Sequence, residues 1–146
     1  MKSYQHILLA IDFSTHSTDV SSQASDIARR YQAKLSVCHI IEDIAITDLA
    51  YEPMISFDME IKQAMMEAGK RQLSELSGKL EVPADNQWLE FGNPVHDIVR
   101  IADEQRIDLI VIGSHGRHGI RRLLGSTANG VLHHATCDVL AVRLTE

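Results

Sequence analysis

Cysteine, tryptophan and basic charge are all scarce in this chain of 146 residues. The two cysteines, Cys38 and Cys137, lie in separate apolar runs, so we expect buried reduced thiols rather than a disulfide framework. Acidic residues number 20 and basic residues 14, which gives a formal net charge of -6. This balance argues against nucleic acid or an anionic membrane as the main partner, because both attract a basic surface.

Long apolar runs are also missing. No run approaches the roughly 18 residues that a membrane-spanning helix requires. The residues that follow Met1 show no small-residue cleavage pattern of a secretion signal, so we expect the cytoplasm as the location. The length and the ordinary apolar content predict one domain, over residues 1–146.

Short apolar runs alternate with longer segments of helical spacing. Near-continuous apolar strands are typical of a parallel sheet that is covered on both faces. Strand alternating with helix therefore predicts a doubly wound α/β fold with helices on both faces of a five-stranded parallel sheet. The predicted strands are Ile7–Ile11, Leu35–Ile41, Trp88–Phe91, Leu109–Ile112 and Val139–Leu144.

Each of the four predicted helices carries an apolar stripe that we expect to face the sheet. Asn93 and Pro94 form a strong start for the third helix, and the fourth is expected to begin near Ser126. The segment from Glu42 to Ser56 is the one long irregular connection, and its role stays open. The expected inward residues are Val20, Ala24, Ile27, Ala28 and Tyr31, then Phe57, Ile61, Ala64, Met65, Ala68 and Leu76, then Val95, Ile98, Val99 and Ala102, then Val131, Leu132 and Ala135.

The segment from Gly113 to Asn129 is the most informative part of the chain. It begins where the fourth predicted strand ends and finishes in a predicted helix. Gly113 and Gly116 allow a tight turn and a close approach of phosphate to the backbone. Gly125, Ser126 and Thr127 then offer free N–H groups at a helix N-terminus, where an anion is favoured. The alternative is that these glycines only shape a turn.

A strand followed by G-x-x-G, a short basic insert and G-S-T at the start of a helix resembles the phosphate-binding signature of the universal stress protein family. The resemblance extends over the whole chain and implies the strand order 3-2-1-4-5. Its five blocks, in order, are Ile7–Ser14, Val37–Ile41, Phe91–Pro94, Asp108–Gly116 and Cys137–Val142.

The resemblance implies a site for ATP or AMP, with Mg²⁺ as a candidate companion ion. Asp12 is expected near the ribose, with a turn or capping role as its alternative. The other expected nucleotide-binding residues are Ala10, Ile11, Val37, Ile40, Gly113, Gly116, Gly125, Ser126 and Thr127, and further phosphate contacts are expected from His115, Arg117 and His118.

One departure from the family concerns the spacing of the glycines. ATP-binding members typically place nine residues between the second and third glycine, whereas eight separate Gly116 from Gly125. The histidines show no recognised zinc spacing, so no metal site is expected. No nucleophile elbow or P-loop lysine motif occurs, so no catalytic residue is named.

Together these features predict an adenine-nucleotide-binding stress-response protein that acts as a ligand-dependent regulatory dimer. The resemblance implies that two copies pair through the last strand, Val139 to Leu144, and that an unidentified protein partner reads the loaded state. The alternatives are a ligand-independent dimeric interaction module, which the short insert favours, and a slow ATPase.

Overall fold

Strand and helix alternate from the first element of the structure to the last, as the apolar runs predict. The computed structural model describes residues 3–14, 17–42, 54–114 and 124–144, and only the backbone of residues 54–58. The elements are β1 His6–Ala10, α1 Ser17–Tyr31, β2 Lys34–Glu42, α2 Met54–Leu80, a 3₁₀ turn Ala84–Asn86, β3 Gln87–Gly92, α3 Pro94–Glu104, β4 Leu109–Gly113, α4 Ser126–His134 and β5 Asp138–Val142.

The five strands form one parallel sheet in the order β3-β2-β1-β4-β5, which confirms the predicted fold class and strand order. In the centre of the sheet, Leu9 lies opposite Val37 on one side and Val111 on the other. The strand order reverses direction at β1 and β4, because β1 connects towards β2 and β4 towards β5. Ligands of open α/β sheets bind beyond the carboxyl ends of the strands at such a point.

Two apolar cores lie on the two faces of the sheet, because successive side chains of a strand point in opposite directions. Ile7, Leu9 and Ile11 pack in one core with Val20 of α1 and Leu73 of α2. The other core contains Leu8, Ala10, Ile98 and Ile101 of α3, and Val131 of α4. The helices therefore cover both faces, α1 and α2 on one and α3 and α4 on the other.

Several residues that were expected to face the sheet are exposed instead. Tyr31, Ile61 and Met65 have exposed fractions of 42%, 39% and 39%, and Leu132 reaches 49%. On α2 the buried positions are Gly69, Leu73 and Ser77, whereas Ala64 is exposed. The physical reason is that the sheet covers only one strip along each helix, so apolar residues on the flank of the stripe remain in water. The side chain of Phe57 lies outside the described residues.

The C-termini of α1, α2 and α3 share one cap that uses no glycine. Gln32, Glu81 and Arg106 each have a positive φ, between 54° and 58°. The next residue then donates its N–H back into the last turn, as from Ala33 to the carbonyl of Ala28 at 2.9 Å. A left-handed residue closed by such a bond satisfies the last carbonyls of a helix. All three caps lie at the amino edge of the sheet, because each helix runs antiparallel to the strands.

Polar side chains join the strands at the same amino edge. The carboxylate of Asp108 accepts the N–H groups of Gln5 at 2.8 Å and His6 at 3.1 Å. The imidazole of His6 lies 3.1 Å from the carbonyl of Gln105 and 2.7 Å from the hydroxyl of the fully buried Ser36. Burial, followed by the charge of Lys34, lowers the pKa of His6. This network ties β1 to β2 and β4 before the strands enter the core.

Both cysteines are free, as expected, but only Cys38 is buried. Burial raises the pKa of the Cys38 thiol to about 12, so it stays protonated. Cys137 is only partly buried, and burial raises its pKa as well. Within the described residues, no helix is both long and apolar enough to cross a membrane.

Candidate functional site

The candidate site lies at the carboxyl edge of the sheet, where β1 and β4 end side by side. Ala10, the last residue of β1, lies opposite Ile112 of β4. Gly113 ends β4, and its neighbour across the sheet is Val142 of β5. The carboxyl ends of the two central strands therefore lie directly beside each other.

Ser114 joins the end of β4 to the two elements that follow it. Its carbonyl accepts the N–H of Gly125 at 2.6 Å, and its own N–H donates to the carbonyl of Val142 at 2.8 Å. Its hydroxyl accepts the N–H of Leu144 at 3.3 Å. The bond from Gly125 brings the start of α4 to the end of β4, so the helix begins at the candidate site.

The first turn of α4 is suited to bind an anion. Its N-cap is Gly125, with an extended backbone and no side chain to cover the N–H groups of the first turn. The first helical bond runs from Asn129 to the carbonyl of Gly125 at 2.9 Å, so the amides of Ser126, Thr127 and Ala128 precede it. These amides and the positive end of the helix dipole favour a negative group.

The start of α3 offers a direct contrast. Its N-cap, Asn93, accepts the N–H of His96 at 3.0 Å, and Pro94 removes one further donor. The carboxylate of Asp97 accepts the N–H of Asn93 at 3.0 Å. Here the chain supplies its own acceptors, whereas the glycine at the start of α4 supplies none.

Asp12 lies just beyond β1 and is partly buried. Its Oδ1 accepts the N–H of Ser14 at 3.0 Å, which is the bond of an Asx turn. The turn role that the sequence left open for this residue is therefore present. A carboxylate has more lone pairs than one such bond uses, so the same side chain can also accept a hydroxyl of a ligand.

His39 and Phe13 complete this corner of the sheet, and no sequence pattern assigned them a role. The Nδ1 of His39 lies 2.8 Å from the carbonyl of Ile11. The rings of Phe13 and His39 meet edge to face, with centroids 4.8 Å apart. The available signal was an imidazole inside the apolar run of β2, near the end of that strand. It did not reveal which carbonyl the imidazole would bind.

The sequence of the chain matches one known family. The model of the universal stress protein family matches residues 3–143. The chain belongs to the universal stress protein family. Universal stress protein A homolog 1 of Coxiella burnetii is 41% identical over 145 residues, which cover 98% of this chain and 99% of the relative.

Solved structures of universal stress proteins show the same fold. The protein UspA from Lactobacillus plantarum has a TM-score of 0.75 and 30% identity, over 98% of this chain and 100% of its own. A universal stress protein solved in complex with cAMP has a TM-score of 0.63 and 25% identity, over 97% of this chain and 98% of its own.

The structure places the apolar residues expected from the universal stress protein resemblance on different faces of the sheet. Ala10 and Ile40 lie in the core beneath α3 and α4. Ile11 and Val37 lie in the core beneath α1 and α2, and Val37 is fully buried. Ile40 lies two residues beyond the β2 residue that pairs with Ala10, in the direction of the carboxyl edge. Ala10 and Ile40 therefore lie on the same face at that edge.

The polar end of the predicted site is described in part. Gly113 and the segment Gly125–Thr127 are held together through Ser114, as given above. The predicted contacts His115, Gly116, Arg117 and His118 lie outside the described residues. In the part of the chain that the structure describes, no group of three histidine, cysteine or acidic side chains could hold a metal ion.

Proposed function

We propose that this universal stress protein binds an adenine nucleotide at the carboxyl edge of the sheet, between the ends of β1 and β4. The observation that carries the proposal is the start of α4, which a 2.6 Å bond from Gly125 to Ser114 holds against the end of β4. The N-cap glycine leaves the first amides of α4 without a capping side chain. Such a helix start favours an anion, and a phosphate is the anionic group of a nucleotide.

The proposed ligand spans from the end of β1 to the start of α4. Asp12 would accept a ribose hydroxyl, while Gly125, Ser126 and Thr127 would hold the phosphates. Gly113 would pass close to the sugar, where a side chain would intrude. The remaining assignments follow the family resemblance: the base would contact Ala10, Ile11, Val37 and Ile40, and the phosphates would contact His115, Gly116, Arg117 and His118.

A solved relative supports the class of ligand. The universal stress protein crystallised with cAMP covers nearly all of this chain. Cyclic AMP shares the adenine, the ribose and one phosphate with ATP and AMP. The shared parts match the two ends of the proposed site, a carboxylate at β1 and amides without a side-chain cap at α4.

The binding test is calorimetric titration with ATP and Mg²⁺, and then with AMP and cAMP, on protein that has been stripped of nucleotide. The variant Gly125→Asp adds a capping carboxylate at the phosphate position. It should preserve the fold, because aspartate is a favourable N-cap, and weaken binding more than about 100-fold by repulsion and by occupying the amides.

The matched control is Asn93→Asp, which adds the same carboxylate at the start of α3, after β3, which β2 separates from β1 in the sheet. It should bind nucleotide as the native protein does. Native affinity in Gly125→Asp would contradict the proposed phosphate position. No binding by the native protein at millimolar nucleotide would favour the ligand-independent interaction module, to which the eight-residue insert points.

We also propose that two copies pair through β5, whose outer side is open in the sheet of the described chain. Exposed strand edges tend to pair. The carbonyl of Val142 bonds to Ser114, so the backbone groups of Val139 and Ala141 point to the opposite, open side. In this arrangement the nucleotide would regulate the pairing of the two copies. Ser114 would link the two sites, because it bonds both to the start of α4, where the phosphates would bind, and to the end of β5, where the copies would pair.

The oligomer test uses the backbone of the open edge. Val142 is a poor place for a charge, because its side chain is buried in the core beneath α1 and α2. Ala141→Pro removes an outward N–H and leaves the bonds to β4 intact, so light scattering should show monomers. Val139→Pro is the second variant of the same kind. Unchanged dimers in both variants would contradict pairing through β5.

A further inference from the structure

Phe13 differs from the other left-handed residues of the described chain. Its φ is 56°, similar to those of Gln32, Glu81 and Arg106. Those three close helix C-termini, where a left-handed residue is part of the cap. Phe13 instead follows a strand, and for a bulky side chain this conformation is costly unless the surroundings enforce it.

His39 contacts the chain on both sides of Asp12. Its Nδ1 lies 2.8 Å from the carbonyl of Ile11, and its ring meets the ring of Phe13. Because a carbonyl can only accept, Nδ1 is the protonated nitrogen in this bond. The N–H of Ile11 still bonds to the carbonyl of Cys38 at 3.0 Å, so the imidazole extends the pairing of β1 with β2 by one further bond.

We propose that His39 is a positioning residue for the nucleotide site. It fixes Ile11 by a hydrogen bond and Phe13 by ring contact, and so holds the turn in which the Oδ1 of Asp12 binds the N–H of Ser14 at 3.0 Å. The carboxylate is then fixed at the end of β1 before any ligand arrives. The part of the proposal that concerns the ligand rests on the proposed function.

The test compares His39→Leu with His39→Asn. Leucine keeps a branched apolar shape but has no donor, whereas the amide nitrogen of asparagine is the same number of bonds from Cα as Nδ1. His134→Leu is the matched control, because the Nδ1 of His134 also lies 2.8 Å from a carbonyl, that of Gly130, on the exposed side of α4.

Two measurements separate the turn from the ligand. The first is the exchange rate of the Ser14 amide in ligand-free protein, followed by NMR. The second is the affinity for ATP by calorimetry. In His39→Leu we expect Ser14 to exchange about tenfold faster and ATP to bind about tenfold more weakly, the effect of losing one partly buried hydrogen bond. His39→Asn should restore both within about threefold, and His134→Leu should change neither.

Each outcome decides the proposal. Native protection of Ser14 in His39→Leu overturns it, and so does a His39→Asn variant that behaves like His39→Leu. Faster Ser14 exchange that asparagine reverses supports the positioning role. If that pattern appears while the native protein binds no nucleotide, His39 still holds the turn, and the proposed function is what fails.

Discussion

At the amino edge of the sheet, Asp108 accepts two backbone N–H groups and His6 links Gln105 to Ser36. At the carboxyl edge, by contrast, α4 starts at a glycine that caps none of its amides. The first edge pairs its polar groups with one another and closes three helices. At the second, α3 is capped by its own side chains, whereas the first turn of α4 has no side-chain cap. The amino edge is thus the part of the sheet that polar pairing stabilises, and the carboxyl edge is the part to which we assign the proposed binding.

The sharpest way to break this comparison is to remove one carboxylate from each edge. Asp108→Ala should lower the free energy of unfolding by about 2 kcal/mol, because two N–H groups lose their acceptor, and should leave nucleotide affinity unchanged. Asp12→Ala should cost less than about 1 kcal/mol of stability but weaken nucleotide binding about tenfold. Urea unfolding and calorimetric titration on both variants give the four values. Similar losses of stability in the two variants would remove the distinction between the edges.

A second comparison uses glycine at two left-handed positions. Glu81→Gly should raise the free energy of unfolding by about 1 kcal/mol, because Glu81 is exposed and glycine adopts a positive φ without cost. Phe13→Gly should lower it by a similar amount, since the loss of ring packing exceeds the relief of the backbone. Thermal unfolding measures both changes. Stabilisation by both glycines would show that the Phe13 ring contributes little.

Two buried serines, Ser77 in α2 and Ser36 in β2, test how completely the buried polar groups of the protein are paired. The Ser77 hydroxyl is buried and has no hydrogen-bond partner within the described part of the chain. Ser77→Ala should therefore stabilise the protein by about 1 kcal/mol. Ser36→Ala is the matched control and should destabilise it by about the same amount, because that hydroxyl lies 2.7 Å from His6. Opposite signs in urea unfolding are the expected result, and equal signs would contradict it.

The smallest expected effect is a pH dependence from the amino edge. Burial lowers the pKa of His6, so the unfolded chain takes up this proton more readily than the folded one. The contribution of His6 is fully present above the unfolded pKa of about 6.5 and is lost as the pH falls through the lower folded value. Between pH 7.5 and pH 5 the native protein should lose more stability than His6→Asn. An equal loss in both proteins would show that His6 does not contribute.

Parts of the site illustrate why sequence reasoning stops where it does. Gly125 and Ser126 were found because a helix start after a strand has a local signature. His39 and Phe13 were not, because the bond from His39 to Ile11 joins residues 28 positions apart and depends on the register of β1 with β2. Tyr31 and Leu132 were assigned inward because periodicity marks an apolar stripe but not its width.

The sequence by itself determined the five strands, the four helices, the parallel doubly wound class and the glycine start of α4, because these follow from local periodicity, caps and turn residues. Only the tertiary structure decided which apolar residues stay in water, which helices cover Ile40 and which cover Val37, and that Asp108 and His6 close one edge. It alone also placed His39 beside Asp12. Such features depend on contacts between residues far apart in the chain, which form only when the strands pair in one register and the helices pack on a given face.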